Sequence, residues 1–279
     1  MEKVLVYDIP FERLLAETAH SGVFSKPIGS ALKLLCPDYL DLLNSNGFSL
    51  ENKILNSSKL DLFPEIVVPN SIVYDNFDNF MGYLMPIITA DTYNAYNSNK
   101  AALSSEIACD LSIYAREFSK IEGIVKRSDD VVFADLLDPN NIMLNEKNYY
   151  FVDYDGLQVN GFLSDSFVEF YDKYKGTKYV DGKFFTKQYD IRNLIYLYFD
   201  SVFNYDLSRI DGVSEADRSS FIDCELSGFG LDFDEIKDKV YKLYQDGANC
   251  YLGDTVHSIA DRYDMCLDGN GKRFVKKKI

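Results

Sequence analysis

Oxygen-bearing side chains crowd one stretch, FADLLDPNNIMLNEKNYYFVDYDG, residues 133–156: Asp135, the pair Asn140 and Asn141, then Asp153 and Asp155. Carboxylate and amide oxygens are the hard donors that Mg2+ prefers. A separate carboxylate can take the proton of an attacking hydroxyl. Such a set suits phosphoryl transfer, where catalysis is mostly positioning and charge neutralisation. Either half alone reads equally well as a surface hairpin with an acidic turn. Both halves, with Asp153 placed 18 positions after Asp135, argue for a site.

The hairpin follows from two apolar runs, Ile142-Met143-Leu144 and Tyr149 to Val152, around the polar tip Asn145 to Asn148. One strand starts just after the first acid and the other ends on the second, so both acids fall at the same end. Upstream, residues 12–35 read as a strand, a small-residue turn and a strand carrying Lys33 among apolar neighbours. Glu51 follows 18 residues later on a short helix that Ser49 can cap. Between residues 65 and 88, Ile66 to Val68, Ile72 to Tyr74 and Phe80 to Ile88 are strand-like.

Apolar positions Leu103, Ile107, Leu111, Tyr114, Phe118 and Ile121 then step around one face of a long helix, with Gly123 as its stop. Residues 157–189 show little periodicity and read as irregular but ordered. Asp190 opens an apolar helix, DIRNLIYLYFDSVF. A later helix carries Phe233, Ile236, Val240 and Leu243 ahead of Gly247, and another runs near Thr255 to Tyr263.

Lys33, Glu51, the apolar strand ending at Ile88, Asp135 with its asparagines, Asp153 and Asp190 occur in the order found in protein kinases. The chain resembles the protein-kinase-like superfamily over roughly residues 12–200, and looks like a divergent bacterial-type serine/threonine protein kinase. The resemblance implies a two-lobed α+β fold: a small, mainly antiparallel β lobe with one helix (1–88) and a larger, mainly helical lobe (89–279). It implies ATP and Mg2+ as cofactors and a protein or small-molecule hydroxyl as acceptor.

By the same resemblance Lys33, paired with Glu51, orients the phosphates, and Asp135 is the catalytic base. Asp153 and Asn140 or Asn141 hold the metal, with Asp155 assisting, and Met85, Pro86, Ile87 and Ile88 line the adenine pocket. Gly22 belongs to a phosphate-covering loop, although Gly22 and Gly29 do not make a GxGxxG motif. Asn140 keeps the count from Asp135, whereas Asn141 directly precedes the strand. The usual His-Arg before the base is replaced by Phe133-Ala134, and DYDG stands where DFG is expected. The D-x-D pattern is shared with small-molecule kinases of the aminoglycoside and choline type, and the irregular glycine loop with pseudokinases that act as binding modules.

Composition excludes other classes. A net charge of −15 disfavours nucleic acid as a partner. No apolar run approaches the roughly 20 residues of a membrane span, and the N-terminus lacks a signal-peptide pattern. The cysteines Cys36, Cys109, Cys224, Cys250 and Cys266 are odd in number and never paired as CxxC, which fits a reducing cytoplasm. The terminal KRFVKKKI reads as a solvated tail.

Overall fold

Residues 12–35 form three strands where the sequence suggests two: β2 (Arg13–Glu17), β3 (Ser21–Lys26) and β4 (Ser30–Leu35). In this computed structural model the described residues are 1–27, 29–57, 63–93, 111–127, 131–145, 148–159, 161–203, 206–228, 230–231, 234–246, 249–268 and 271–277. With β1 (Glu2–Leu5), β5 (Ser71–Tyr74) and β6 (Phe80–Pro86) they build a six-stranded sheet in the order β1-β5-β6-β4-β3-β2. The sheet is antiparallel except for β1, which runs parallel to β5.

Alternation along the strands gives the sheet two faces. Leu32, Val73 and Leu84 point to the outer face, where Ile9 from the N-terminal segment covers them. Ala31, Leu35, Ile72, Tyr83 and Met85 point inward and join the main core. Lys33 lies opposite Tyr83 in the β4–β6 register, so both polar residues are delivered to that inner side. Two helices, α1 (Pro37–Ser45) and α2 (Leu50–Ser57), stand between β4 and β5 instead of the one expected. The Ser49 side chain accepts the Asn52 N–H, as its cap position suggests.

Ile66 to Val68 does not join the sheet. Prolines at 64 and 69 bound it, and Val67 N–H and Phe151 C=O meet at 2.9 Å. It is a bridge to the hairpin of the other lobe.

The larger portion is mainly helical. α3 (Leu111–Arg127) buries Tyr114, Phe118, Ile121 and Val125 and passes straight through Gly123, because Ile124 and Val125 continue its apolar face. The expected positions Leu103 and Ile107 lie outside the described residues, as do Phe233 and Gly247. After the short strands β7 (Asp91–Thr92) and β8 (Val131–Val132) and the hairpin β9 (Ile142–Leu144) and β10 (Tyr149–Phe151), residues 157–189 are more regular than their sequence suggests. They hold the helix α4 (Ser166–Tyr174) and short strands at Val180–Asp181 and Phe184–Phe185. Tyr174, Tyr179, Phe185 and Tyr189 pack together there, so aromatic contacts supply the order that periodicity does not show.

α5 (Lys187–Phe203) is buried from Tyr189 to Phe199, with apolar residues on every side of that stretch. α6 (Arg218–Gly228), α7 (Asp234–Asp246) and α8 (Leu252–Arg262) complete this lobe, with α8 packed along α3. The basic C-terminal segment is no free tail: Gly271–Lys276 pairs antiparallel with Tyr263–Asp268. Among the described residues no helix is long and apolar enough to cross a membrane. The two-lobed α+β architecture, in the element order that the resemblance implies, is the one observed.

Gly82 sets the spacing of β4 and β6. Its φ is +155°, and a Cβ there would stand 2.0 Å from the Lys33 carbonyl oxygen. Gly82→Ala is therefore expected to cost about 3 kcal/mol of unfolding free energy by urea denaturation. A change within about 0.5 kcal/mol, the usual size for a harmless surface substitution, would contradict that close contact.

Candidate active site

The hairpin β9–β10 carries Asp135 and Asp138 before it and Asp153 and Asp155 after it. Its strands pair Ile142 with Phe151 and Leu144 with Tyr149. Val152 N–H then donates to the Asn141 carbonyl at 3.0 Å, which closes the mouth of the hairpin just before Asp153. The approach to Asp135 is held from beneath by α5: Asp190 accepts the Phe133 N–H at 3.0 Å, and Asn193 donates to the Ala134 carbonyl at 3.1 Å. Burial raises the Asp190 carboxyl to about 6 despite the Lys187 ammonium 3.7 Å away.

Between Asp135 and the strand, Asp138 caps a single 3-10 turn, Pro139–Asn141. Its carboxylate accepts both the backbone N–H and the side-chain amide of Asn140, each at 2.9 Å. That turns Asn140 toward Asp138. Asn141 instead donates to the Asp135 carboxylate at 2.8 Å. Of the two asparagines left open by the sequence, Asn141 is the one joined to the acid. Gly156 closes the set, since a Cβ there would lie 3.0 Å from an Asp153 oxygen and 3.1 Å from the Asp135 Cβ.

From the sheet, Lys33 reaches Asp153 at 2.5 Å and Asp155 at 2.8 Å. It is almost wholly buried, and the two carboxylates outweigh that desolvation and hold its ammonium well above the ordinary lysine range. The expected Lys33–Glu51 pair is not formed. Glu51 instead accepts the Tyr74 hydroxyl at 2.6 Å. The residue of α2 that enters the site is Lys53, with no exposed surface, which donates to the backbone carbonyls of Asp155 and Leu157. Burial drops its ammonium to about 8.

Asp155 is equally enclosed. Lys33 holds one of its oxygens and the Tyr83 hydroxyl donates to the other. Burial alone would raise its carboxyl, but Lys33 and Tyr83 hold it below the usual range. Asp153 differs: burial, with the neighbouring Asp155 and Asp165 charges, lifts it to about 7 against the pull of Lys33.

Lys33, Asp135, Asn140, Asn141, Asp153 and Asp155 line one cavity of about 980 Å³ together with Met85, Pro86, Ile87 and Ile88. Gly22 does not line it. It sits inside β3 opposite Leu34, with the Phe24 ring 2.9 Å from where its Cβ would be. The roof is the β2–β3 turn, shaped by a hydroxyl in place of glycine: Thr18 Oγ1 accepts the N–H groups of His20 and Ser21 at 3.2 and 3.1 Å. His20 stacks on Tyr39 at 4.5 Å, and the Tyr39 hydroxyl donates to Asp165 at 2.5 Å.

Sequence reasoning missed Thr18, Lys53, Tyr83, Tyr39 and Asp165. Only Thr18 and Ser21 left a trace, as hydroxyl residues at a turn spacing. The oxygen set fits Mg2+ in chemistry: Asp153 and Asn141, which line the cavity, carry hard carboxylate and amide oxygen donors.

No family model matches the chain, and no curated protein matches it. Among solved structures the chain is similar to the BubR1 kinase domain at 14% identity and a TM-score of 0.45, over 70% of this chain. The match spans 62% of that domain.

Burial, with the charges of Asp153, Asp165 and Asp138, pushes the Asp135 carboxyl up to about 8 from an ordinary value near 4. The folded protein therefore binds this proton more tightly than the unfolded chain, and stability attributable to Asp135 is lost as pH rises from about 4 to about 8. Asp135→Asn removes that loss. Its melting temperature relative to wild type is expected to climb from pH 5 to pH 9; a pH-independent gap would refute the assignment.

Proposed function

We propose that the chain is an ATP-dependent phosphotransferase that moves the γ-phosphoryl group to a hydroxyl, with a protein serine or threonine as acceptor. The observation that supports this most is the convergence of Lys33, Asp135, Asn141 and Asp153 on one cavity bordered by the 85–88 strand end. With the expected lobe boundary near residue 88, that strand end is the link over the cavity. Pro86 has no N–H and Ile87 gives its own to the Gly29 carbonyl at 2.9 Å. The donor for an adenine edge is then Ile88.

In this reading Lys33 orients the phosphate chain. Asp153 and the Asn141 oxygen would hold Mg2+, which when bound neutralises the phosphate charge. Asp135 positions the acceptor hydroxyl and takes its proton as the oxygen–phosphorus bond forms and the bond to ADP breaks. Asn141, which donates to the Asp135 carboxylate, fixes its orientation. Glu51 has no part in it.

A small cationic alcohol is the second reading for the acceptor. Glu17, Asp138, Asp165 and Glu169 line the same cavity, so its wall is acidic beyond what the transfer itself uses.

The first test is a thermal-shift titration with ATP, with and without Mg2+, on wild type and Asp153→Ala. Ligand at a hundredfold excess over Kd adds about 2.7 kcal/mol to apparent stability. A Mg2+-dependent rise that the variant loses, followed by transfer to serine or threonine peptides, is expected. Transfer only to amine-bearing small alcohols would select the second reading. No shift at millimolar ATP would refute both.

A further inference from the structure

Lys33 has lost the helix glutamate expected to hold it, yet it is 8% exposed and needs a permanent counter-charge. Of its two partners Asp153 is the less suited. Its side chain retains 19% exposure against 2% for Asp155, and its other oxygen borders Gly156 and the cavity. A carboxylate that also serves a metal cannot be a constant partner for a lysine.

Asp155 is built to be that partner. Its two oxygens are divided between Lys33 and the Tyr83 hydroxyl, and Tyr83 is the residue opposite Lys33 in the β4–β6 register. Its own backbone carbonyl accepts the Lys53 ammonium at 2.9 Å, and the Asp165 N–H at 3.1 Å. Four elements thus converge on one residue: β4, β6, α2 and the start of α4.

We infer that Asp155 is the anchoring carboxylate of Lys33, and that Lys53 carries the link from α2 to that anchor, the two roles expected of Glu51. Asp155 is then a positioning residue and no metal ligand. The inference rests on the phosphotransferase reading for its consequence, the orientation of phosphates by Lys33, and on geometry alone for the pairing. It also makes the second acid of DYDG a substitute for a helix residue over 100 positions upstream.

The test compares Asp155→Asn, Glu51→Gln and Lys33→Met, with the Lys33→Met/Asp155→Asn double variant closing a cycle. Asparagine keeps the shape and the acceptor for Tyr83 while removing the charge. Calorimetry with MgATP and with adenosine separates phosphate contacts from the rest of the pocket. Asp155→Asn is expected to weaken MgATP about tenfold while adenosine binding stays the same, and Glu51→Gln to change neither. In the Lys33→Met background Asp155→Asn should add nothing. Equal loss from Glu51→Gln, or an undiminished Asp155→Asn effect without Lys33, would overturn the inference.

A readout without nucleotide keeps the two claims apart. Acylation of Lys33 by an amine-reactive reagent, followed by mass spectrometry, should quicken severalfold in Asp155→Asn and stay unchanged in Glu51→Gln. Wild type that ignores ATP but shows this pattern would sink the phosphotransferase reading and leave the anchor standing. The same acylation rate in both variants would sink the anchor.

Discussion

A lysine ammonium enclosed between two carboxylates is the constraint from which the rest of the structure follows. Lys33 is brought from the sheet and Asp153 and Asp155 from the far end of the hairpin, so neither lobe can satisfy its charges without the other. Removing one partner from a buried pair leaves a charge with no compensation, which is far more costly than the pair is worth. The β4–β6 register then has a second duty, because it places the Tyr83 hydroxyl on the same carboxylate. Beneath, Lys53 donates to the backbone carbonyls of Asp155 and Leu157, and burial lowers its ammonium to about 8.

The hairpin itself rests on the helix α5. Three of its polar residues are buried in a helix otherwise apolar on every side: Asp190, Arg192 and Asn193. Asp190 and Asn193 fasten the backbone leading to Asp135. Arg192 donates to the Asn193 side-chain oxygen at 2.7 Å and pairs with Asp211 and the Tyr174 hydroxyl, its guanidinium 4.7 and 4.3 Å from the Tyr174 and Tyr196 rings. Arginine suits this place because its planar, weakly hydrated cation stacks on aromatic rings while its fork binds a carboxylate. One buried helix therefore braces both the loop before the hairpin and the aromatic segment after it.

Much of this was legible in the chain. Period-two alternation and a polar tip located the hairpin, and its ends located Asp135 and Asp153. What failed were inferences about which side chains meet across long separations. Glu51 had the right order and distance from Lys33, but position along a helix does not say which face turns inward, and Lys53 occupies that face. Gly22 was assigned by residue type, whereas the turn is made by the Thr18 hydroxyl. Residues 157–189 looked irregular because their order comes from aromatic rings meeting Arg192, a contact with no signature in spacing. The C-terminal lysines looked solvated because a two-stranded pairing with Tyr263–Asp268 leaves no trace in composition.

The Thr18 turn changes how the cavity meets solvent. A glycine-rich cover owes its usefulness to backbone amides that can swing onto an anion. Here the amides of His20 and Ser21 are already spent on a neighbouring hydroxyl, and the His20 ring is seated on Tyr39. A phosphate reaching this roof would find the His20 and Ser21 amides already committed to the Thr18 hydroxyl.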